Sequence, residues 1–440
     1  MAMEGRLATG TRLPSERALA EVLGLSRTTV TRAYGELVAT GWARARQGSG
    51  TTIRLPAGAR IPSLPLVPGQ PTDAIDLSAA AGLAPAGTEA LIRRAMDWLP
   101  ATLNSAGYEP FGAPHLRDRI AAWYVNRGLP TTPDQIIVTP GAMAAVSVAF
   151  HLLLSPGARV VVDSPTYPGA LGVLAAVRGR PVPVALHSAW DLDAWAAALR
   201  RSGARCAYLI PDFHNPTGLV LPDRQRAVVS ALFRDQGCTA VVDETLVELD
   251  FDTAGQQPFA GFDPGAITVG SLSKTLWGGI RIGWLRCPSR LVESVRAKAV
   301  QLSLGASALD QLIATTYLEQ PQSLRDEVVG SLRSARDRWL TELTLRLPDW
   351  RAEPPAGGLA LWVELPRRSA AELATAAAAH GLVVAPGPVF SVDRTHQNRI
   401  RLPLTLPSAV IPEAVARLAA AWADVIAGPT TGALPNRLAL

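Results

Sequence analysis

Of the 42 basic residues in this chain only two, Lys274 and Lys298, are lysines. Where arginine serves almost everywhere, a surviving lysine invites a chemical reading. Lys274 ends the run Ser271-Leu-Ser273-Lys274, precedes the Gly278-Gly279 turn, and has Arg281 seven positions later. A lysine drawn partly out of water sheds its proton more readily, and the neutral amine condenses with an aldehyde to a Schiff base. An aldehyde that carries a phosphate needs donors around that group. Ser271 and Ser273 offer hydroxyls, Arg281 offers a guanidinium fork, and the Gly141 and Ala142 amides open a helix, where anions are favoured. If the aldehyde is a pyridine, Asp243 is suited to keep a proton on the ring nitrogen and make the ring an electron sink. Tyr167 can then stack on the ring, and Asn215 can donate to a ring hydroxyl.

Each residue alone has a plainer explanation. A strand-end aspartate usually caps or pairs, a tyrosine after Ser-Pro usually packs, and Asn-Pro-Thr-Gly is a common turn. Lys298 lies in the helical stretch RLVESVRAKAVQL and reads as a surface residue. The elements around the candidates add weight. Short β-rich runs (Ile136–Thr139, Val160–Asp163, Cys206–Ile210, Ala240–Asp243, Ile267–Gly270, Ile282–Leu285) alternate with alanine-rich helical stretches. This alternation predicts an α/β fold with a mostly parallel sheet covered by helices, whose ligands sit beyond the carboxyl ends of the strands. The runs lead into Thr139-Pro-Gly141, Asp163-Ser-Pro-Thr-Tyr167, Pro211–Gly218, Asp243-Glu-Thr and Ser271–Lys274, so the candidates gather at one sheet edge.

The first 60 residues carry a different chemistry. They contain nine arginines and four glutamates with no lysine or aspartate, an excess of +5 that equals the net charge of the whole chain. Basic charge confined to one short segment is a nucleic-acid footprint. Ser15 can cap a helix in which Leu19, Val22 and Leu23 recur at helical spacing, and Gly24 suits its end. Ser26 can cap a second helix to about Ala39, with Val30, Tyr34 and Leu37 on one face and Thr28, Thr31, Arg32 and Gly35 on the other. A tight turn between two such helices makes a helix-turn-helix whose second helix reads the major groove. Residues 42–46 and 51–55 flank Gln47-Gly48-Ser49-Gly50 as a hairpin wing.

The stretch LPSERALAEVLGLSRTTVTRAYGELVATGW…RQGSGT resembles the winged helix-turn-helix of GntR-type regulators. The resemblance implies DNA contacts from Arg17, Arg27, Thr28, Thr29 and Thr31, with Gln47 and Gly48 entering the minor groove. That family has a further helix ahead of this stretch. About ten residues precede Gly10 here, so an incomplete first helix is expected. Residues 76–425 resemble fold-type-I pyridoxal-phosphate aminotransferases. That likeness assigns the phosphate cup to Gly141, Ala142, Ser271, Ser273 and Arg281. The ring contacts fall to Tyr167, Asn215 and Asp243, the Schiff-base lysine to Lys274, and the substrate-carboxylate arginine to Arg401 in NRIRLPLTL. Tyr108 in GYEPFG resembles the tyrosine that reaches the partner subunit's phosphate, with a spacing one residue short. The fold so implied has a smaller C-terminal α/β subdomain and assembles as a homodimer.

Both halves together resemble the MocR subfamily of GntR regulators. The implied division is a DNA-binding domain at 1–55, a linker at 56–75 with five prolines, and an aminotransferase-like domain at 76–430. The implied function is a transcription regulator that binds double-stranded DNA and senses pyridoxal phosphate or its adduct with an amino acid or amine. The alternative is a working aminotransferase with a vestigial DNA-binding segment. One departure bears on that choice: Asp243-Glu-Thr-Leu246-Val lacks the tyrosine that such enzymes carry just beyond the aspartate, which weakens proton control at the ring. Composition excludes other classes. A hydrophobic fraction of 48% with 18% charged residues is that of a globular protein with a large core. The longest apolar stretch, Ala144–Leu154, is broken by Ser147 and His151 and falls short of the ~20 residues that span a bilayer. The three cysteines form no CxxC pair, so neither a disulfide framework nor a metal site is expected, and the location expected is the cytoplasm.

Overall fold

The computed structural model describes residues 12–46, 50–53, 74–251, 255–366 and 370–427. The chain divides into two compact units, Met1–Pro65 and Leu66–Leu440. In the first, helix α1 (Glu16–Leu23) starts where the Ser15 hydroxyl accepts the Ala18 N–H and stops at Gly24, which adopts φ 63°. Helix α2 (Arg27–Ala39) is capped by Ser26, whose hydroxyl accepts the Thr29 N–H. Strands β1 (Ala43–Arg46) and β2 (Gly50–Ile53) pair antiparallel as the wing. A small core of Ala20, Val30 and Tyr34 joins the helices, with Leu13 and Leu19 against it, and the Tyr34 hydroxyl donates to the Pro14 carbonyl at 2.9 Å. Two of the helically spaced apolar residues stay outside that core: Val22 is 80% and Leu23 55% exposed. Helix α1 meets α2 through Ala20, and the other two lie on its far side. Leu37 is half-buried at the edge of the contact.

The large unit opens with strand β3 (Ile75–Asp76), which pairs with Leu382–Val383, so Ile75 already belongs to the fold. Six of its main strands fall on the sequence-predicted runs: β4 (Ile136–Thr139), β5 (Arg159–Ser164), β7 (Cys206–Leu209), β8 (Thr239–Asp243), β9 (Ile267–Ser271) and β10 (Gly283–Arg286). A seventh, β6 (Arg180–Ala185), carries two prolines that obscure it in sequence; it lies at the sheet edge, where a missing N–H breaks no ladder. The order is β4-β10-β9-β8-β7-β5-β6, parallel except for β10. Both faces are covered: Val160 and Val162 join one apolar cluster and Val161 joins another, the alternation expected of strands buried on two sides. A smaller subdomain follows, an antiparallel four-stranded sheet (Arg351–Ala352, Ala360–Glu364, Arg399–Pro403, Ala385–Pro386) packed on the 25-residue helix Gln322–Arg346. Trp339 of that helix is fully buried and donates to the Pro403 carbonyl at 3.0 Å.

One buried ion pair ties this frame to the candidate site. Arg226 and Asp212, both fully buried, meet at 2.6 Å, and Arg226 also donates to the Leu221 carbonyl at 2.8 Å. The guanidinium thus pins both ends of the loop that carries Asn215. Removing one partner of a buried pair strands the other charge, at a cost of about 3–5 kcal/mol. Arg226→Leu is therefore expected to lower the unfolding free energy by about that amount in urea titrations. A change under ~1 kcal/mol would show that the pair is not what holds the loop.

Candidate functional site

A cavity of about 580 Å³ lies at the carboxyl edge of β8 and β9. Ala142, Tyr167, Asn215, Asp243, Ser271, Ser273, Lys274, Arg281 and Arg401 are among the residues that line it. Gly141 borders it as the N-cap of helix Ala142–Leu153, with φ 83°. A Cβ at Gly141 would stand 2.4 Å from the Arg281 guanidinium, so glycine is required both for the backbone and for the arginine's approach to the helix N-terminus. The Ser271 hydroxyl donates to the Ile282 carbonyl and accepts the Ser273 N–H, which fixes the turn into Lys274.

Asp243 ends β8 with its carboxylate held from three directions. Its Oδ2 accepts the Tyr208 hydroxyl at 2.8 Å, and its Oδ1 accepts the Thr245 hydroxyl at 2.6 Å and the Thr245 N–H at 3.0 Å. Burial and the Asp243 charge push the Tyr208 phenol well up, so it remains a donor. Sequence reasoning missed Tyr208, which stands inside the apolar run Cys206-Ala-Tyr-Leu. Only the register of β7 beside β8 brings it to a carboxylate 35 positions away.

Lys274 is drawn out of water. Burial, with the Arg401 and Arg281 charges adding to it and Asp243 opposing, lowers its pKa to about 8. Its amine donates to the Ala80 carbonyl at 3.4 Å. Arg401 is buried too; its guanidinium donates to the Ser78 carbonyl and lies 5.1 Å over the Phe390 ring, while its Nε has no partner. Burial brings its pKa down to about 10, against the Tyr167 and Asp76 contributions, so it stays charged at neutral pH. Tyr167 is raised to about 12 by burial and by Asp243, and its ring lies where a Cβ on Gly169 would clash.

These residues fit a phosphorylated pyridine aldehyde. The Asn215 Oδ1 is buried without a partner, an expensive state unless a ligand or water completes it. The Gly141–Arg281 cradle is open to an anion, and the amine is readily deprotonated. Leu246 lines the same cavity, buried, at the position where a tyrosine was expected and is absent. One predicted site residue lies elsewhere: Tyr108 is 70% exposed, away from the cavity. Lys298, read as a surface residue, is half-buried and donates to Gln301 at 2.8 Å.

In the first unit Arg17, Arg27, Thr28, Thr29 and Thr31 are all exposed. The last four share a surface hollow with Arg32 and Glu16. Glu16, also missed in sequence, accepts the Thr31 hydroxyl at 2.6 Å, and Thr29 bonds Ser26 at the cap. Gln47 and Gly48 lie outside the described residues. No helix among the described residues is long and apolar enough to cross a membrane.

Residues 72–418 match the family described as aminotransferase class I and II, and residues 1–53 match the gntR family of bacterial regulatory proteins. The chain is 27% identical to the HTH-type transcriptional regulator YdcR of Escherichia coli, across 89% of this chain and 90% of that protein. It is 28% identical to the HTH-type transcriptional regulator TauR of Rhodobacter capsulatus, across 95% and 93%. Among solved structures it is similar to LysN, an α-aminoadipate aminotransferase of Thermus thermophilus complexed with N-(5'-phosphopyridoxyl)-L-leucine. That likeness has a TM-score of 0.73 and 26% identity over 81% of this chain and 93% of that one.

Incubation with pyridoxal phosphate and borohydride reduction should place the covalent label on the Lys274 peptide. Because the lowered pKa leaves the amine neutral above about 8, labelling should climb between pH 7 and 9. Label on Lys298, or a climb delayed to the ordinary lysine range near ~10.4, would contradict the assignment.

Proposed function

The chain belongs to the aminotransferase class I and II family and carries a GntR-type domain ahead of it, the MocR arrangement; from that premise we propose a transcription regulator whose large domain binds pyridoxal phosphate and senses an amino compound through it. The observation that carries the reading is the cavity that combines Lys274, Asp243, the Gly141–Arg281 cradle and Arg401. Pyridoxal phosphate, when bound, supplies an aldehyde that captures amines and a ring that withdraws electrons. The chain's own residues divide the remaining work. The cradle would hold the phosphate, joined by the two serines once their hydroxyls turn from the Ile282 and Ile280 carbonyls, and Tyr167 would lie against the ring. Asp243, oriented by Tyr208 and Thr245, keeps a proton on the ring nitrogen. Lys274 offers a neutral amine, and Arg401 takes a carboxylate on the incoming ligand. Leu246 leaves the ring-oxygen side without a phenol, which supports a sensor over a fast catalyst.

The DNA-binding part is assigned to residues 1–55, the tether to 56–75 and the ligand-binding part to 76–430. A two-fold dimer suits both halves. Tyr108, exposed here, would be offered to the neighbouring subunit's phosphate, and two winged helices would read paired half-sites. The second reading, a working aminotransferase, draws on the lowered pKa of Lys274. Many turnovers of keto acid from an added amino acid would favour it over the sensor.

DNA binding should weaken steeply with salt, since each neutralised phosphate releases counterions. Arg27→Ala should weaken specific binding by roughly 1–3 kcal/mol if that residue reads a base. Equal binding by a chain lacking residues 1–55 would exclude the winged helix as the contact. For assembly, light scattering of the cofactor-loaded chain should report a dimer, and a monomer at every concentration would refute it.

A further inference from the structure

A second chamber opens off the same lysine. Its volume is about 190 Å³, far more than the ~10–15 Å³ that admits one water, and it shares Lys274, Trp277 and Leu359 with the main cavity. The helix Gln322–Arg346 supplies its outer wall with Val328 and Leu332, and Leu276 adds to the apolar surface. Among the described residues, Glu327 is its one ionisable lining residue apart from Lys274, and no arginine or histidine lines it. Glu327 is held in place, because its Oε1 accepts the Ala86 N–H at 2.8 Å.

Arg401 and the chamber lie on the same cavity system as Lys274. A ligand with its amino group at Lys274 and its carboxylate at Arg401 therefore has the chamber as the space for its side chain. The walls favour methylenes, and the one charge they present is negative. Glu327 stands exposed at the chamber's rim, so a side chain ending in a second carboxylate would meet a like charge with no arginine to neutralise it, a modest and salt-dependent repulsion. A side chain ending in an ammonium would pair with Glu327.

Resting on the reading above, we infer that the ligand sensed at this site is a diamino compound, an amino acid with an unbranched stem and a distal cation, and that Glu327 determines that preference. Dicarboxylic amino acids are disfavoured by the same residue.

Calorimetric titration of the full-length, pyridoxal-phosphate-loaded chain tests this with four probes: L-lysine, L-ornithine, L-norleucine and L-2-aminoadipate. Lysine or ornithine should bind about twofold to fivefold tighter than norleucine at low salt, the worth of one exposed ion pair, and aminoadipate weakest. Glu327→Gln keeps an acceptor for the Ala86 N–H, so the fold is retained. It should abolish the advantage of the diamino acids and leave norleucine within about twofold. Glu327→Arg should move the preference to aminoadipate. Norleucine or aminoadipate binding the wild-type chain as tightly as lysine overturns this inference and leaves the sensor reading standing. The same holds if Glu327→Gln weakens all four probes equally. Heat from none of the four, with cofactor bound, removes the sensor reading and this inference with it.

Discussion

Three charged side chains share one cavity at the sheet edge, and the properties of the site follow from that crowding. Lys274, Arg401 and Asp243 all line it, Arg401 and Asp243 buried and Lys274 half-buried. Burial favours the neutral form of each cation, and the neighbouring cations add to it at Lys274. Arginine begins so high that it stays charged after the same penalty, while lysine is brought near neutrality. One environment thus leaves one of two cationic residues near neutrality and the other charged.

The frame that sustains this crowding is parallel-sheet architecture. Its strands are buried on both faces, so polar groups gather where the strands end, and several of them are paired there. Tyr208 and Thr245 aim the Asp243 carboxylate, and Arg226 with Asp212 anchors the loop that carries Asn215. These supports lie behind the ligand-facing atoms. They matter because a buried carboxylate or amide that can rotate loses the directionality a ligand would use.

The stretch from Asp76 to Ala86 meets the site through its backbone. Asp76 pairs with Val383, the Ser78 carbonyl takes Arg401, the Ala80 carbonyl takes Lys274, and the Ala86 N–H goes to Glu327. This alanine-rich run therefore touches Arg401, Lys274 and Glu327 through its backbone.

The sequence by itself determined the two-part plan and most of the polar residues that line the main cavity. Charge confined to the first 60 residues, capped helix pairs and strand runs ending in polar signatures are local patterns, and local patterns carry period and propensity. The six strand runs and both caps, Ser15 and Ser26, stand where those patterns place them. Tertiary structure alone decided the rest. The partnership of Tyr208 with Asp243 depends on strand register, the exposure of Val22 and Leu23 on which side of α1 meets α2, and β6 on a sheet edge that tolerates proline. The second chamber depends on a helix more than fifty residues beyond Lys274 folding back over it. Contacts made through backbone atoms or between residues far apart in the chain leave no mark on composition or spacing, because the energy that selects them is packing over the whole core.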